Sequence, residues 1–307
     1  IMKLLTRFID LLLYTNAFAA LCATGLCMAT ERLINNTNPL LISDLHMLVF
    51  GSTLLVYNMP RVAKMLSHVQ AGKSEYQNWY IFFFGAGIII TGIGLYSQSV
   101  LVLTVSCLLG ILAFSYFLPV LPFKNRKRLR DFGGVKIIVL TGVWTIATSI
   151  LPMLYWQKNI SNYPFEILER FVLVFILCIM FDLRDMRSDL RSNIYTLPNA
   201  MGIKNSYRLI YGSVALFACL SISQYVRFLQ TGRIIAAAIV IAATLLVARY
   251  VKKQPGDRVY LLLVDGIMLL YAVLVKEPEN TTIEKEEGDE VSGLGALFSG
   301  LKLYERA

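Results

Sequence analysis

Charged residues are scarce in this chain, and histidine and cysteine are scarcer still. Only 16% of the 307 residues are charged, whereas 56% are hydrophobic and the mean hydropathy is +0.61. The two histidines, His46 and His68, have no second ligand at a useful spacing, and the five cysteines show no disulfide or metal-binding pattern. We therefore expect neither a disulfide framework nor a histidine–cysteine metal site.

Long apolar runs make up most of the sequence. A bilayer span needs about 20 apolar residues, and nine runs of roughly this length follow one another with short loops between them. The first run is too long for the core of a cleaved signal peptide. We predict an all-α polytopic membrane protein with nine spans in one bundle: 8–29, 39–57, 79–96, 99–121, 135–155, 164–180, 207–228, 233–250 and 259–275.

The spans define a domain of residues 1–275, followed by a tail of residues 276–307 that is first acidic and then apolar. The acidic part is typical of a solvated segment, and the apolar end can dock on a protein partner. A net charge of +9 could indicate nucleic acid. The basic residues, however, concentrate in alternate loops, as in cytoplasmic loops of membrane proteins. This pattern predicts no nucleic-acid partner, an N-terminus inside and a C-terminus outside a bacterial cytoplasmic membrane.

An acidic segment follows the sixth run. On a continuing helix, Asp182, Asp185 and Asp189 share one face, and each like-charged pair costs roughly 0.2–0.5 kcal/mol. A cation is therefore expected among them, and carboxylates are ligands that Mg²⁺ accepts. The alternative is a solvated helix end whose arginines pair with lipid head groups. Those arginines lie about half a turn from the carboxylates: Arg184, Arg187 and Arg191.

Two further sets of polar residues allow both a structural and a functional interpretation. The basic segment that contains Lys124 and Arg126 can bind anionic lipid head groups or clamp a diphosphate. Asn16 and Asp265 lie within apolar runs, where a polar side chain either bonds a neighbouring helix or marks a site.

The acidic segment, with its continuation to Thr196-Leu197-Pro198 and Gly202, resembles the second aspartate-rich motif of the UbiA superfamily of intramembrane prenyltransferases. The resemblance covers roughly residues 1–275. It implies nine helices around a cavity open to lipid. It also implies that a prenyl diphosphate is held through Mg²⁺ by two aspartate-rich motifs, and that the prenyl group passes to an aromatic or other lipophilic acceptor.

The first aspartate-rich motif of that family is missing here. At the end of the second run only Asn58 remains, and Met59, Val62 and Leu66 stand where carboxylates are expected. The resemblance then implies one Mg²⁺ ion, held by Asp182, Asp185 and Asp189, rather than two. Other polar residues would bind the diphosphate: Asn58, Arg61, Lys64, Lys124 and Arg126.

Two hypotheses of function remain. In the first, the protein is a divergent prenyltransferase, in which fixed cations stabilise the departing diphosphate as metal ions do elsewhere. In the second, it keeps the fold without the reaction and serves as a lipid-binding or assembly subunit of a membrane complex, because function depends on the site rather than on the fold.

Overall fold

The computed structural model describes residues 2–35, 42–66, 76–118, 128–227, 231–253 and 256–275. Within these ranges the regular structure is helical, and no strand is present. Short 3₁₀ turns, Leu129–Asp131 and Ile160–Asn162, precede α6 and α8. The helices are α1 (Met2–Tyr14), α2 (Ala17–Asn35), α3 (Asp44–Leu66), α4 (Gln77–Leu95), α5 (Val100–Phe117), α6 (Gly133–Thr145), α7 (Leu151–Tyr155), α8 (Pro164–Arg191), α9 (Leu197–Arg227), α10 (Thr231–Val251) and α11 (Asp257–Leu274).

Each of the nine predicted runs is helical over most of its described length, with two differences. The first run is not one helix, because α1 ends at Tyr14 and Asn16 adopts a positive φ of 60° before α2 begins. The fifth run is one continuous rod in which a π-helical turn, Ile146–Ile150, joins α6 to α7. The predicted tail and His68 lie outside the described residues.

The break at Asn16 leaves backbone carbonyls at the end of α1 without partners from their own helix. Two side chains of α3 satisfy them. The Asn58 amide donates to the carbonyl of Thr15 at 2.8 Å, and the Arg61 guanidinium donates to the carbonyl of Tyr14. Both residues therefore hold α1 against α3.

The long helices form a closed ring. Each packs against the next in the order α2, α11, α10, α9, α8, α6, α5 and α3, and α3 returns to α2, while α4 packs along α3. The π-helical turn and α7 also contact α2, which closes the ring at that end. The opposite end, where α8 finishes, surrounds an open space.

Among the described residues, six helical segments are long and apolar enough to cross a membrane: Ala17–Asn35, Gln77–Leu95, Val100–Phe117, Gly133–Tyr155, Leu197–Gln224 and Gly232–Val251. The other three long helices, α3, α8 and α11, each contain several charged residues. Charged side chains within membrane helices face the bundle interior or a hydrated cavity. A functional site is therefore expected along these three helices.

Candidate functional site

A cavity of about 650 Å³ lies inside the ring, and residues of α2, α3, α5, α6, α8 and α11 form its wall. Its volume is in the usual range of small-molecule sites. One part of the wall carries basic and acidic side chains from α3, α6, α8 and the turn before α6. The rest contains the polar residues Asn16 and Asp265 but is mainly apolar and aromatic, with residues such as Leu140, Trp144, Val174, Leu177, Phe181 and Met268.

The acidic segment lies at the polar end of this cavity. As the sequence predicted, α8 continues without a break to Arg191, so that Asp182, Asp185 and Asp189 share a face, and all three line the cavity. Asp182 is buried, with 4% of its surface exposed. The side chains of Asp185 and Asp189 are more open, at 38% and 14%.

A lysine from another helix lies between two of these carboxylates. Lys136 of α6 places its Nζ 2.8 Å from Oδ1 of Asp182 and 2.9 Å from Oδ2 of Asp189. Only 14% of the lysine side chain is exposed. The cation that the sequence pattern requires is therefore supplied, at least in part, by the chain itself.

The third carboxylate is also paired with a basic side chain. Nε of Arg184 lies 2.8 Å from Oδ1 of Asp185, and Nη2 lies 3.2 Å from Oδ2. The guanidinium also lies over the rings of Phe181 and Tyr260. Arg184 therefore turns back towards the cavity, whereas the exposed Arg187 and Arg191 stay on the basic side that the sequence predicts.

As arranged, the three carboxylates do not offer an open ligand set for Mg²⁺. The ion binds oxygen atoms in a near-octahedral shell, but Asp182 and Asp189 each direct an oxygen at Lys136, and both oxygens of Asp185 are bonded to Arg184. One buried oxygen, Oδ2 of Asp182, has no hydrogen-bond partner among the described residues. A metal ion bound through the two oxygen atoms that now contact Lys136 would have to displace the lysine.

A glycine fixes the position of the lysine relative to α8. A Cβ atom on Gly133 would lie 1.7 Å from the carbonyl oxygen of Tyr195, in the segment that follows α8. Only a glycine therefore lets the start of α6 approach this backbone. Because Lys136 is three residues further on, in the first turn of α6, the close contact sets where its ammonium lies.

The continuation of the acidic motif forms a helix start rather than a loop across the bundle. The carbonyl of Thr196 accepts the first hydrogen bond of α9, from the amide of Ala200, and Pro198 follows one residue after the helix begins. Gly202, with φ of 79°, kinks α9. The helical structure is thus interrupted between Arg191 and Leu197 and again at this kink.

The predicted diphosphate-binding residues lie in different places. Arg61 lines the cavity and stacks over Tyr80, with its Cζ 4.6 Å from the ring centroid. Asn58 is fully buried and its amide is used in packing, so it does not form part of the wall. Lys64 is exposed and also lies outside the wall. Lys124 and Arg126 lie outside the described residues.

A second basic residue that sequence reasoning missed is Arg130, in the turn before α6. Arg130 lines the cavity, and it has no salt bridge among the described residues. Burial, reinforced by neighbouring Arg128, lowers the pKa of the Arg130 guanidinium. A half-buried cation without a carboxylate partner at salt-bridge distance favours an anionic ligand. Lys136 could have been found from the sequence, since it is the one charged residue within the apolar run 135–155.

Aromatic side chains form the part of the wall beyond the charges. Nε1 of Trp144 donates to the hydroxyl of Tyr57 at 2.9 Å, and the Tyr57 ring contacts Phe117 edge to face. Asn16 and Asp265, the two polar residues predicted within apolar runs, also line the cavity. The cavity thus joins a charged end to an aromatic and aliphatic interior.

A second polar cluster joins α2 to α3, and its residues are not among those that line the cavity. His46 Nε2 lies 2.9 Å from Oε2 of Glu31, and the backbone amide of Ser43 donates to His46 Nδ1. The Nδ1 atom is therefore an acceptor, and Nε2 contacts Glu31 without hydrogen-bond geometry. Cys27 Sγ lies within 4.8 Å of both ligand atoms, and the three residues are buried. His46 has a partner that its sequence position does not reveal.

Comparison with known proteins shows likeness only at the level of structure, because no protein-family model and no curated protein matches the sequence. A UbiA homologue from Archaeoglobus fulgidus bound to GPP and Mg²⁺ aligns with a TM-score of 0.61 at 11% identity, over 86% of this chain and 97% of that one. A UbiA homologue from Aeropyrum pernix K1 aligns with a TM-score of 0.58 at 14% identity, over 83% and 96%.

A third structure, described as digeranylgeranylglyceryl phosphate synthase in membranes, aligns with a TM-score of 0.52 at 14% identity, over 90% of this chain and 98% of that one. The class of this protein follows from the fold and the cavity: it is an all-helical integral membrane protein built around an internal cavity. Its fold is similar to that of these solved UbiA homologues, which confirms the resemblance seen in the sequence at the level of the fold alone.

Proposed function

We propose that the cavity binds a prenyl diphosphate and that the protein is a UbiA-like membrane prenyltransferase, which transfers the prenyl group to a lipophilic or aromatic acceptor. The observation that carries the proposal is the cavity itself. Its charged end contains Arg61, Arg130 and Lys136, and its interior is aromatic and aliphatic. Basic side chains bind phosphates, and the apolar interior suits an isoprenoid chain.

In this mechanism the bond between the terminal prenyl carbon and the diphosphate oxygen breaks, and the diphosphate leaves with the electron pair. Fixed cations stabilise the negative charge that develops on it. The allylic cation is attracted to the faces of aromatic rings, which Tyr57 and Trp144 supply. The acceptor then forms the new carbon bond and loses a proton.

The charged end of the cavity is proposed to face the cytoplasm of a bacterium. The loops predicted to be inside are rich in basic residues, and the polar end of the cavity lies beside the C-terminus of α8 and the start of α6. This orientation puts the N-terminus inside and the C-terminus outside. It gives the diphosphate access from the aqueous side, with the prenyl chain reaching into the membrane.

The test is binding and turnover of geranyl diphosphate by the purified full chain in lipid nanodiscs. Lys136→Met and Arg130→Met are expected to weaken binding about tenfold or more, because each removes a charge-assisted contact. Lys204→Met is the matched control, since Lys204 is an exposed lysine on α9 outside the cavity wall. Equal binding by all four proteins contradicts the proposed site.

The second candidate function is a non-catalytic lipid-binding or assembly subunit. Two observations favour it: Asn58, the remnant of the first motif, is used in packing, and Lys136 fills the space between two carboxylates. Labelled geranyl diphosphate with a panel of lipophilic and aromatic acceptors separates the two candidates. Binding without any transferred label supports the subunit, and a prenylated acceptor supports the enzyme.

A single Mg²⁺ ion held by Asp182, Asp185 and Asp189 stays a prediction. The family neighbours were solved with Mg²⁺ or Cd²⁺ present. The residues of this chain, however, pair all three carboxylates internally. The binding experiment is therefore run both with Mg²⁺ and with a chelator.

A further inference from the structure

We propose that Lys136 is the resident cation of the acidic cluster and replaces a divalent metal ion there, so that the polar end of the cavity accepts an anionic head group without Mg²⁺. The inference deepens the proposed function, because the head group is that of the proposed substrate. Its physical basis is the position of one ammonium between two carboxylates, 2.8 Å and 2.9 Å away.

The ammonium of Lys136 has enough hydrogen-bond donors to bind both carboxylates and a ligand. A lysine head group has three N–H donors and no acceptor. Asp182 and Asp189 use two of them, which leaves a third for an oxygen atom of a ligand. Because Lys136 also lines the cavity, that donor belongs to a group in contact with the ligand space.

The protein holds this charge in place with several elements. Lys136 lies in the first turn of α6, and the positive end of a helix dipole stabilises nearby carboxylates. Gly133 brings the same turn against the backbone at Tyr195. The lysine is therefore not a flexible surface residue that meets the carboxylates by chance, but part of a close contact between α6 and the end of α8.

The acidic residues then act differently from metal ligands. In a metal site, the carboxylates bind the ion and the ion binds the diphosphate, so that loss of a carboxylate weakens diphosphate binding. Here Asp182 and Asp189 are positioning residues that hold the lysine. Removing the charge of Asp182 leaves the ammonium on Asp189 and lowers the negative charge near the ligand. We expect anion binding to persist or tighten.

The first experiment measures Mn²⁺ binding to the full chain in nanodiscs by electron paramagnetic resonance, which requires no activity. Wild type is expected to show no tight Mn²⁺ site in the cavity. Lys136→Met is expected to gain one site, with affinity higher by about tenfold or more, because the three carboxylates lose their nearest cation. The site should disappear again in Lys136→Met/Asp182→Asn, while Lys204→Met behaves like wild type.

Two results overturn the proposal. One is a tight Mn²⁺ site in wild type that Asp182→Asn removes, which would show that the lysine does not occupy the place of the ion. This comparison remains informative if Lys136→Met does not fold. The other is a folded Lys136→Met protein that gains no Mn²⁺ site.

The second experiment measures geranyl diphosphate binding with EDTA and with Mg²⁺. We expect wild-type binding to be the same in both, Asp182→Asn to bind at least as tightly as wild type, and Lys136→Met to be weakened in EDTA and rescued by Mg²⁺. Wild-type binding that requires Mg²⁺ overturns the inference. A wild type that binds no geranyl diphosphate under either condition contradicts the proposed function instead, and the Mn²⁺ result then decides the inference separately.

Discussion

The two polar clusters of this protein use similar residues in different surroundings. The buried cluster, formed by Cys27, Glu31 and His46, joins one histidine to one carboxylate among fully buried side chains. The cavity cluster has two carboxylates on one lysine, Asp182 and Asp189 on Lys136, and lines an open space. In the buried cluster, Glu31 contacts one partner, His46. In the cavity cluster, Lys136 contacts two carboxylates and also lines the space that a ligand can enter.

The difference separates a structural contact between a histidine and a carboxylate from a binding site. A single buried pair stabilises the protein only while both members are present, because loss of one leaves the other buried without a partner. A cation shared by two carboxylates tolerates the loss of one of them. Redundancy of charge, together with a cavity, is therefore the feature that indicates function here, and polarity within the membrane alone is not.

The largest effect on stability is expected in the buried cluster. His46→Leu leaves Glu31, which is 1% exposed, without its partner, and should lower the free energy of unfolding by about 3–5 kcal/mol. Unfolding in mixed detergent micelles by added dodecyl sulfate measures this cost. The double variant His46→Leu/Glu31→Leu is the control and should recover most of the loss. A double variant as unstable as the single one would contradict a stabilising role for the contact between His46 and Glu31.

The second effect tests how α6 is positioned beside the cavity cluster. Gly133→Ala places a Cβ against the carbonyl of Tyr195 and should destabilise by about 1–3 kcal/mol, while also weakening geranyl diphosphate binding by moving Lys136. Gly134→Ala is the control, because nothing lies within 4 Å of its Cβ position. This change should be neutral or stabilise by up to about 1 kcal/mol. Equal effects of the two variants would rule out the close contact.

The third effect applies the redundancy argument to the cavity cluster. Asp182→Asn removes one of the two carboxylates on Lys136 and should cost about 1 kcal/mol, clearly less than His46→Leu, because Asp189 still holds the ammonium. The same dodecyl sulfate titration makes the comparison. A cost for Asp182→Asn equal to that of His46→Leu would show that the two clusters do not differ in this way.

Much of the fold could be predicted from the sequence, because apolar runs of bilayer length define helices whatever their neighbours are. The shared face of Asp182, Asp185 and Asp189 followed from helical periodicity alone. The pairing of Lys136 did not, since it joins positions 53 residues apart in the chain, and it depends on α6 packing beside α8. The sequence required a cation and did not reveal which one.

The role of Asn58 shows a second limit. A local motif suggested a ligand, but the use of this side chain depends on the break at Asn16, which leaves the carbonyl of Thr15 for the Asn58 amide to bind. No periodicity predicted that break, because the residues around it form one apolar run. A polar residue within such a run was the available signal, and its effect on α1 required the structure.

The smallest effect is expected at an ion pair outside both clusters, which sets a baseline for them. In the turn before α6, Arg128 bonds Asp131 at 2.9 Å with the two side chains 34% and 18% exposed. Although burial opposes ionisation, the bonds from Arg128 dominate and lower the pKa of Asp131. The stabilisation that the Arg128–Asp131 pair gives to the folded protein is therefore present above the ordinary aspartate pKa. It is lost as the pH falls through the lowered pKa of Asp131. Asp131→Asn should cost less than about 1 kcal/mol at neutral pH, and the difference from wild type should shrink as the pH falls below the ordinary aspartate pKa. A difference that grows on acidification would contradict this assignment and remove the baseline.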